Sequence, residues 1–339
     1  MRRKWFTLLF GAGVIATLTI GLAAGVGTAS STKAEATYKI YLLPKNLGNP
    51  YFNASNQGAQ KAAKELGDTV TYNAPTEASG TKQVPFIDTA VRQGFNAIII
   101  SAADANAVAP ALKRAQTRGV KVITYDADTV PGARTVFLSL PDAKSIGEAQ
   151  IEWLGSQIGY KGEFAILSAT AVAPNQNLWI KYMKAAIKKP KYKNLKLVKV
   201  AYGDDNDTKS AEEAQALLQA YPNLKGIISP TTVGIAAAAR VLTQAGKCNV
   251  RLTGLGLPSQ MRKYVKSGCV KKFGLWNVID LGYVAVQTAH AVLDGKVTGK
   301  AGESYRAGTS GRKTVGKNGV IIGVPPFAFT KANIDQFKF

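Results

Sequence analysis

Two cysteines and one histidine in 339 residues leave little for chemistry that depends on them. Zinc centres draw mainly on these two residue types, so the scarcity argues against a Cys/His metal site. The lone His290 lies in Val286-Gln287-Thr288-Ala289-His290-Ala291-Val292-Leu293, a stretch with helical spacing. It is expected to be a satisfied helix residue rather than a catalyst. Acidic residues are also few: 21 Asp+Glu stand against 43 Lys+Arg, a net charge of +22. Nucleic-acid binders concentrate such a surplus on one element. Here the cations are scattered, and the densest runs, Lys188-Lys189-Pro190-Lys191 and Lys271-Lys272, are short and fall at element ends, so no nucleic-acid partner is expected. No Walker sequence is present, and no apolar run after residue 36 is long enough to span a bilayer.

What is present begins with an address. Arg2, Arg3 and Lys4 precede an uncharged, mostly apolar run from Trp5 to about Thr28, and small and polar residues follow to Ala34-Glu35-Ala36. This order describes a secretory signal over residues 1–36 with an A-x-A cleavage site. A permanent anchor is the rival, since the run is nearly long enough to span; its glycines and threonines favour cleavage. No cysteine follows the run, so a lipoprotein anchor is excluded, and the arginine pair hints at twin-Arg export. Removal of Arg2, Arg3, Lys4, Lys33 and Glu35 takes a net three charges from +22 and leaves +19.

The whole chain is 46% hydrophobic and 19% charged, ordinary globular composition with room for two domains after the leader. Its pattern is regular. Tyr38–Leu43, Thr69–Tyr72, Ala97–Ile100 and Val120–Tyr125 read as strands, separated by helical stretches at Phe52–Leu66, Lys82–Gln93 and Ala107–Arg118 that stop at Gly67, Gly94 and Gly119. The alternation restarts at Gly162–Leu167 and runs to Val270–Trp276, with a last helix over Asp280–Leu293. Short strands alternating with helices predict parallel sheets, and so many units predict two doubly wound α/β lobes.

Ligands of doubly wound sheets bind beyond the carboxyl ends of the strands. Those ends carry Lys45, Asn46, Tyr51 and Phe52, then Asp104, then Asp126 and Asp128. In the second half they carry Asn175 and Gln176, then Pro230, Thr231 and Thr232, then Trp276 and Asn277. Carboxylates, amides and hydroxyls suit vicinal sugar hydroxyls, and aromatic faces cover the C–H side of the ring. Each such loop alone reads sooner as a cap or a turn; their recurrence at equivalent strand ends is what suggests a site. Gly254-Leu255-Gly256 begins like a dinucleotide fingerprint, but its third glycine is replaced by Ser259 and the acidic partner is missing. Asp204-Asp205-Asn206-Asp207 lacks the glycine and distal glutamate of a calcium loop and reads as a helix cap. No metal, no cofactor and no nucleophile–base pair is expected, and so no enzyme.

At these strand ends the sequence resembles the type I periplasmic sugar-binding proteins of ABC importers, the ribose-binding superfamily, in its rhamnose and autoinducer-2 branch. The carriers include Lys45-Asn46-Leu47-Gly48-Asn49-Pro50-Tyr51-Phe52, Asp126-Ala127-Asp128, Asn175-Gln176-Asn177-Leu178-Trp179, Tyr221-Pro222-Asn223-Leu224-Lys225-Gly226-Ile227-Ile228 through Pro230-Thr231-Thr232, Thr253-Gly254-Leu255-Gly256, Phe273-Gly274-Leu275-Trp276-Asn277 and Pro325-Pro326-Phe327. The resemblance implies two parallel-sheet lobes joined by three hinge crossovers near Ser139, Asn277 and Val324. The lobes would comprise residues 37–138 with 278–324, and 139–277 with 325–339. It implies a periplasmic or other extracytoplasmic monomer that binds a small sugar in the cleft and partners a membrane permease. Autoinducer-2 contacts in that branch fall on positions resembling Lys45, Asp126, Asn175, Gln176, Pro230 and Thr232. Asn175 stands where that branch has an aspartate and Thr232 where it has an alanine, which turns the expectation towards a rhamnose-like sugar. A signal receptor of the same fold is the alternative. A LacI-type regulator would need a helix-turn-helix where the export signal stands.

Cys248 and Cys269 precede consecutive strands joined by a helix, so a βαβ unit puts both at the same end of neighbouring strands. In an oxidising compartment a disulfide is expected, with two free thiols as the alternative.

Overall fold

The computed structural model describes residues 37–139, 142–324 and 326–339. The expected signal over residues 1–36 lies outside them. Among the described residues no helix is long and apolar enough to cross a membrane.

Nine helices and fourteen strands are described. The first run is β1 (Lys39–Leu43), α1 (Pro50–Leu66), β2 (Thr69–Tyr72), α2 (Gly80–Arg92), β3 (Ala97–Ile100), α3 (Ala105–Thr117), β4 (Lys121–Tyr125) and β5 (Val136–Ser139). The second is α4 (Ala143–Ile158), β6 (Lys161–Ser168), α5 (Pro174–Ala186), β7 (Asn194–Tyr202), α6 (Asp207–Ala220), β8 (Leu224–Ser229), α7 (Thr232–Gln244), β9 (Arg251–Gly254), α8 (Pro258–Lys266) and β10 (Phe273–Trp276). The last is α9 (Val278–Leu293), β11 (Ser304–Arg306), β12 (Arg312–Thr314), β13 (Val320–Ile322) and β14 (Pro326–Phe329).

One sheet has the order β13-β5-β4-β3-β1-β2 and the other β7-β6-β8-β9, and all of these pairings are parallel. Strand β10 pairs antiparallel with β14 and touches the end of β9 through a bridge between Leu255 and Gly274. The chain therefore passes between the two sheets three times: after β5, after β10 and after β13. In both sheets the first strand of the run lies between the second and the third, which is the switch point where a doubly wound sheet opens a crevice. The α/β architecture expected from the alternation is the one observed. Strand β5, helix α4 and the strands after α9 are additions to that expectation.

Burial follows from the pattern. All of β3 is buried, as a continuous apolar strand must be when helices cover both faces. Ile40, Leu42, Ile99 and Ile123 face the core shared with α1 and α9, while Tyr41, Leu43, Ile98 and Ile100 face α2 and α3. Helix α9 is buried almost all round. It lies backbone to backbone on α1: a Cβ on Gly58 would sit 1.8 Å from the Ile279 carbonyl oxygen, and one on Gly282 1.8 Å from that of Ser55. Only glycine allows this approach. It fixes Tyr51, at the start of α1, against Trp276, just before α9.

A disulfide joins Cys248 to Cys269, with a Cα–Cα distance of 4.8 Å. His290 is buried in α9, and its Nδ1 is 2.8 Å from Asp68 Oδ2. That hydrogen bond holds the imidazole pKa above its ordinary 6.5, with the Asp68 and Asp294 charges acting in the same direction and burial and Lys296 opposing. A raised folded pKa means stability that is complete below the unfolded value and lost as pH rises through the folded one. We expect the stability gap between the native chain and His290→Gln, read by urea unfolding, to be full below about pH 6.5 and to shrink above it. A gap that grows with pH would contradict the pairing.

Candidate functional site

Each helix start fixes what its loop can offer. Helices α1, α2, α3 and α9 begin two residues earlier than the apolar spacing suggests. Caps and prolines set these starts. Asn49, Ser79, Asp104, Asn206 and Asn277 each accept backbone N–H groups of the first turn, and Pro50, Pro174 and Pro258 occupy first-turn positions that need no donor.

Between the carboxyl ends of β1 and β4 on one side and β6, β7, β8 and β10 on the other lies a cavity. It is lined by Lys45, Tyr51, Phe52, Asp126, Asn175, Gln176, Pro230, Thr231, Thr232 and Trp276, all candidates from the sequence, together with Asn49, Trp179, Asp205, Leu255 and Leu275.

Asp126 is at its centre. Its backbone is left-handed, φ 60°, a conformation that aspartate tolerates better than most residues. The Tyr51 hydroxyl donates to its Oδ1 at 3.0 Å, the Ser101 hydroxyl to Oδ2 at 2.7 Å and the Asn175 amide to Oδ1 at 3.4 Å. Lys45 Nζ stands 3.7 Å from Oδ2 and donates to Asn175 Oδ1 at 3.0 Å and to Gln176 Oε1 at 3.5 Å. Trp276 Nε1 donates to the Tyr51 hydroxyl at 2.9 Å. Burial and the Asp126 charge push the Tyr51 phenol well above its ordinary pKa of 10, so at neutral pH it is a donor to the carboxylate. Lys45 is 2% exposed. A buried ammonium and carboxylate persist where they are paired and hydrogen-bonded.

Asp205 supplies a second carboxylate. It too is left-handed, φ 51°, and it accepts the Thr231 hydroxyl. Burial pushes its carboxyl above the usual range, and Lys45 opposes the rise. The aromatic wall is made of Tyr51 edge-on to Phe52 at 5.1 Å, and of Trp179 tilted on Trp276 at 6.0 Å.

Four sequence candidates lie away from the cavity, and three of them have local partners. Asp104 caps α3, accepting from the N–H groups of Asn106 and Ala107. Asn277 caps α9, accepting from Ile279 and Asp280. Asp128 is held by both Nε and Nη2 of Arg134, at 2.6 and 2.8 Å, and by the Thr124 hydroxyl at 2.6 Å. Asn46 is buried beside an outer groove shared with Glu77 and Lys209. Among the residues missed, Asp205 follows β7 as the strand-end rule requires, but its acidic neighbours read as a cap. Trp179 is one turn after Asn175 on α5, so the same helix face points both at the cavity.

The chain belongs to the type I periplasmic sugar-binding proteins: the periplasmic binding protein domain family matches residues 40–297. It is a binding protein and not an enzyme. It is similar to a sugar ABC transporter protein from Actinomyces odontolyticus, with 44% identity, 89% of this chain and 98% of that one covered, and a TM-score of 0.71. A solute-binding protein from Clostridium phytofermentas with bound L-rhamnose is 35% identical over 89% of this chain and 98% of its own, TM-score 0.86. LsrB from Clostridium saccharobutylicum in complex with AI-2 is 27% identical over 89% of this chain and 100% of its own, TM-score 0.84.

The relay from Trp276 through Tyr51 to Asp126 has a direct test. Tyr51→Phe leaves the buried Trp276 N–H without an acceptor and Asp126 short of a donor, a loss of about 1–3 kcal/mol. Denaturant unfolding measures it; unchanged stability would show that the relay contributes nothing.

Proposed function

We propose that the chain is the exported receptor of an ABC sugar importer and that its cavity takes a deoxyhexose of the L-rhamnose kind. The make-up of the cavity wall carries this reading. Asp126, Asp205, Lys45, Asn175 and Gln176 offer acceptors and donors for ring hydroxyls, while Phe52, Leu255 and Leu275 offer an apolar place for a methyl group. Asn175 and Thr232, which depart from the autoinducer-2 pattern, support the same choice, as does similarity to the L-rhamnose-bound protein. The second reading, an autoinducer-2 receptor, draws on Lys45, Asp126, Gln176 and Pro230 and on the likeness to LsrB.

In this reading the two sheets belong to two lobes, residues 37–138 with 278–324 and residues 139–277 with 325–339, hinged near Ser139, Asn277 and Val324. The sugar closes the lobes, and the closed monomer presents it to a permease. The leader is cleaved near Ala36 and the receptor acts outside the cytoplasm.

Calorimetry and thermal shift of the chain from Thr37 onward, against L-rhamnose, other hexoses, pentoses and autoinducer-2, provide the test. L-rhamnose is expected to bind most tightly, adding about 2.7 kcal/mol of stability at a hundredfold excess over Kd. Asp205→Asn is expected to weaken it at least tenfold, the effect of one charge-assisted hydrogen bond. Tighter binding of autoinducer-2 selects the second reading, and silence from every sugar rejects both.

A further inference from the structure

Between Glu163 and Asp204 the chain carries eight lysines, no arginine and no carboxylate. Folding gathers them on one edge of the four-stranded sheet, along α5, the segment after it, and the edge strand β7. Acids on neighbouring elements take up three of them: Lys189 pairs with Glu148, Lys191 with Glu152 and Lys196 with Glu163. The other five, Lys181, Lys184, Lys188, Lys193 and Lys199, are exposed and have no ion-pair partner among the described residues.

Lysines on an edge strand discourage strand pairing between molecules, which is reason enough for Lys196 and Lys199. It does not account for Lys181, Lys184 and Lys188. These follow one face of α5 and its continuation and flank a groove beside Tyr202. Leu178, near the other end of α5, and Val172, in the loop before it, are 41% and 54% exposed.

We propose that this face holds the protein against an anionic phospholipid surface. The chemistry favours such a partner over a structured one. A lysine ammonium is a point charge on a flexible stem, suited to mobile phosphate headgroups, whereas fixed bidentate recognition uses arginine, of which this face has none. The exposed Val172 and Leu178 add apolar contact at the headgroup boundary. Attraction to such a surface amounts to about a fivefold gain in affinity for each lysine within a Debye length of it. The inference goes beyond sugar capture and stands without the identity of the sugar.

The test uses the chain from Thr37, whose packed cores lie within the described residues; this keeps the apolar leader from binding lipid by itself. Vesicles of phosphatidylcholine with one third phosphatidylglycerol are expected to co-sediment the protein at low salt. Pure phosphatidylcholine should not, and about 1 M salt, with a screening length near 3 Å, should release it. The triple variant K181Q/K184Q/K188Q is expected to lose on the order of a hundredfold in vesicle affinity, with sugar affinity unchanged. The control K64Q/K113Q/K121Q removes the same charge from α1, α3 and β4 and is expected to lose far less. Equal losses in the two triples would reduce the effect to net charge and overturn the assignment to this face. Absence of sedimentation, or displacement from vesicles by soluble polyphosphate at equal phosphate, would overturn the lipid surface as the partner.

Discussion

The cavity depends on one buried carboxylate. Asp126 sits at the end of β4, yet its partners come from β1, α1, the end of β3, and α5 on the other sheet. An unpaired carboxylate in that position would be too costly to keep ionised. Lys45, Tyr51, Ser101 and Asn175 solve the problem together, and in doing so they bring the two sheets to a common point. Trp276 joins through Tyr51, so an aromatic wall and a charged centre are set by the same hydrogen bonds. The glycine contact between α1 and α9 holds that arrangement from behind.

A set of groups so fully engaged is suited to binding rather than to reaction. The Tyr51 proton is held by burial, and Lys45 donates hydrogen bonds to Asn175 and Gln176. What the cavity offers a ligand is hydrogen-bonding geometry, two carboxylates of different character and a wall of rings. Asp205, with its raised pKa and its single hydroxyl donor, is the less occupied of the two and the freer to accept from a hydroxyl.

The fold was largely legible because its signals are local and repeated: glycine stops, buried four-residue strands and amphipathic helices of similar length. The cavity was legible where strand ends carried residues unsuited to any local role, as at Lys45, Gln176 and Trp276. It is less legible where a residue has two uses. Asp104 and Asn277 are the types that cap helices, and capping took them. Asp205 reads as a cap along the chain, beside Asn206, which is one. Asp128 could not be assigned without knowing that Arg134 folds back upon it. The lysines of α5 and β7 are unremarkable along the chain and form a face only after the β6-α5-β7 crossover stacks them on one edge.

The central claim is that Asp126 and its partners form the ligand site. The most direct measurement is a crystal structure of the chain from Thr37 grown with L-rhamnose. The account predicts the sugar in the cavity, its hydroxyls on the Asp126 and Asp205 carboxylates and its ring against Trp276. A sugar bound in the outer groove beside Asn46, or one that leaves Asp126 untouched, would contradict it.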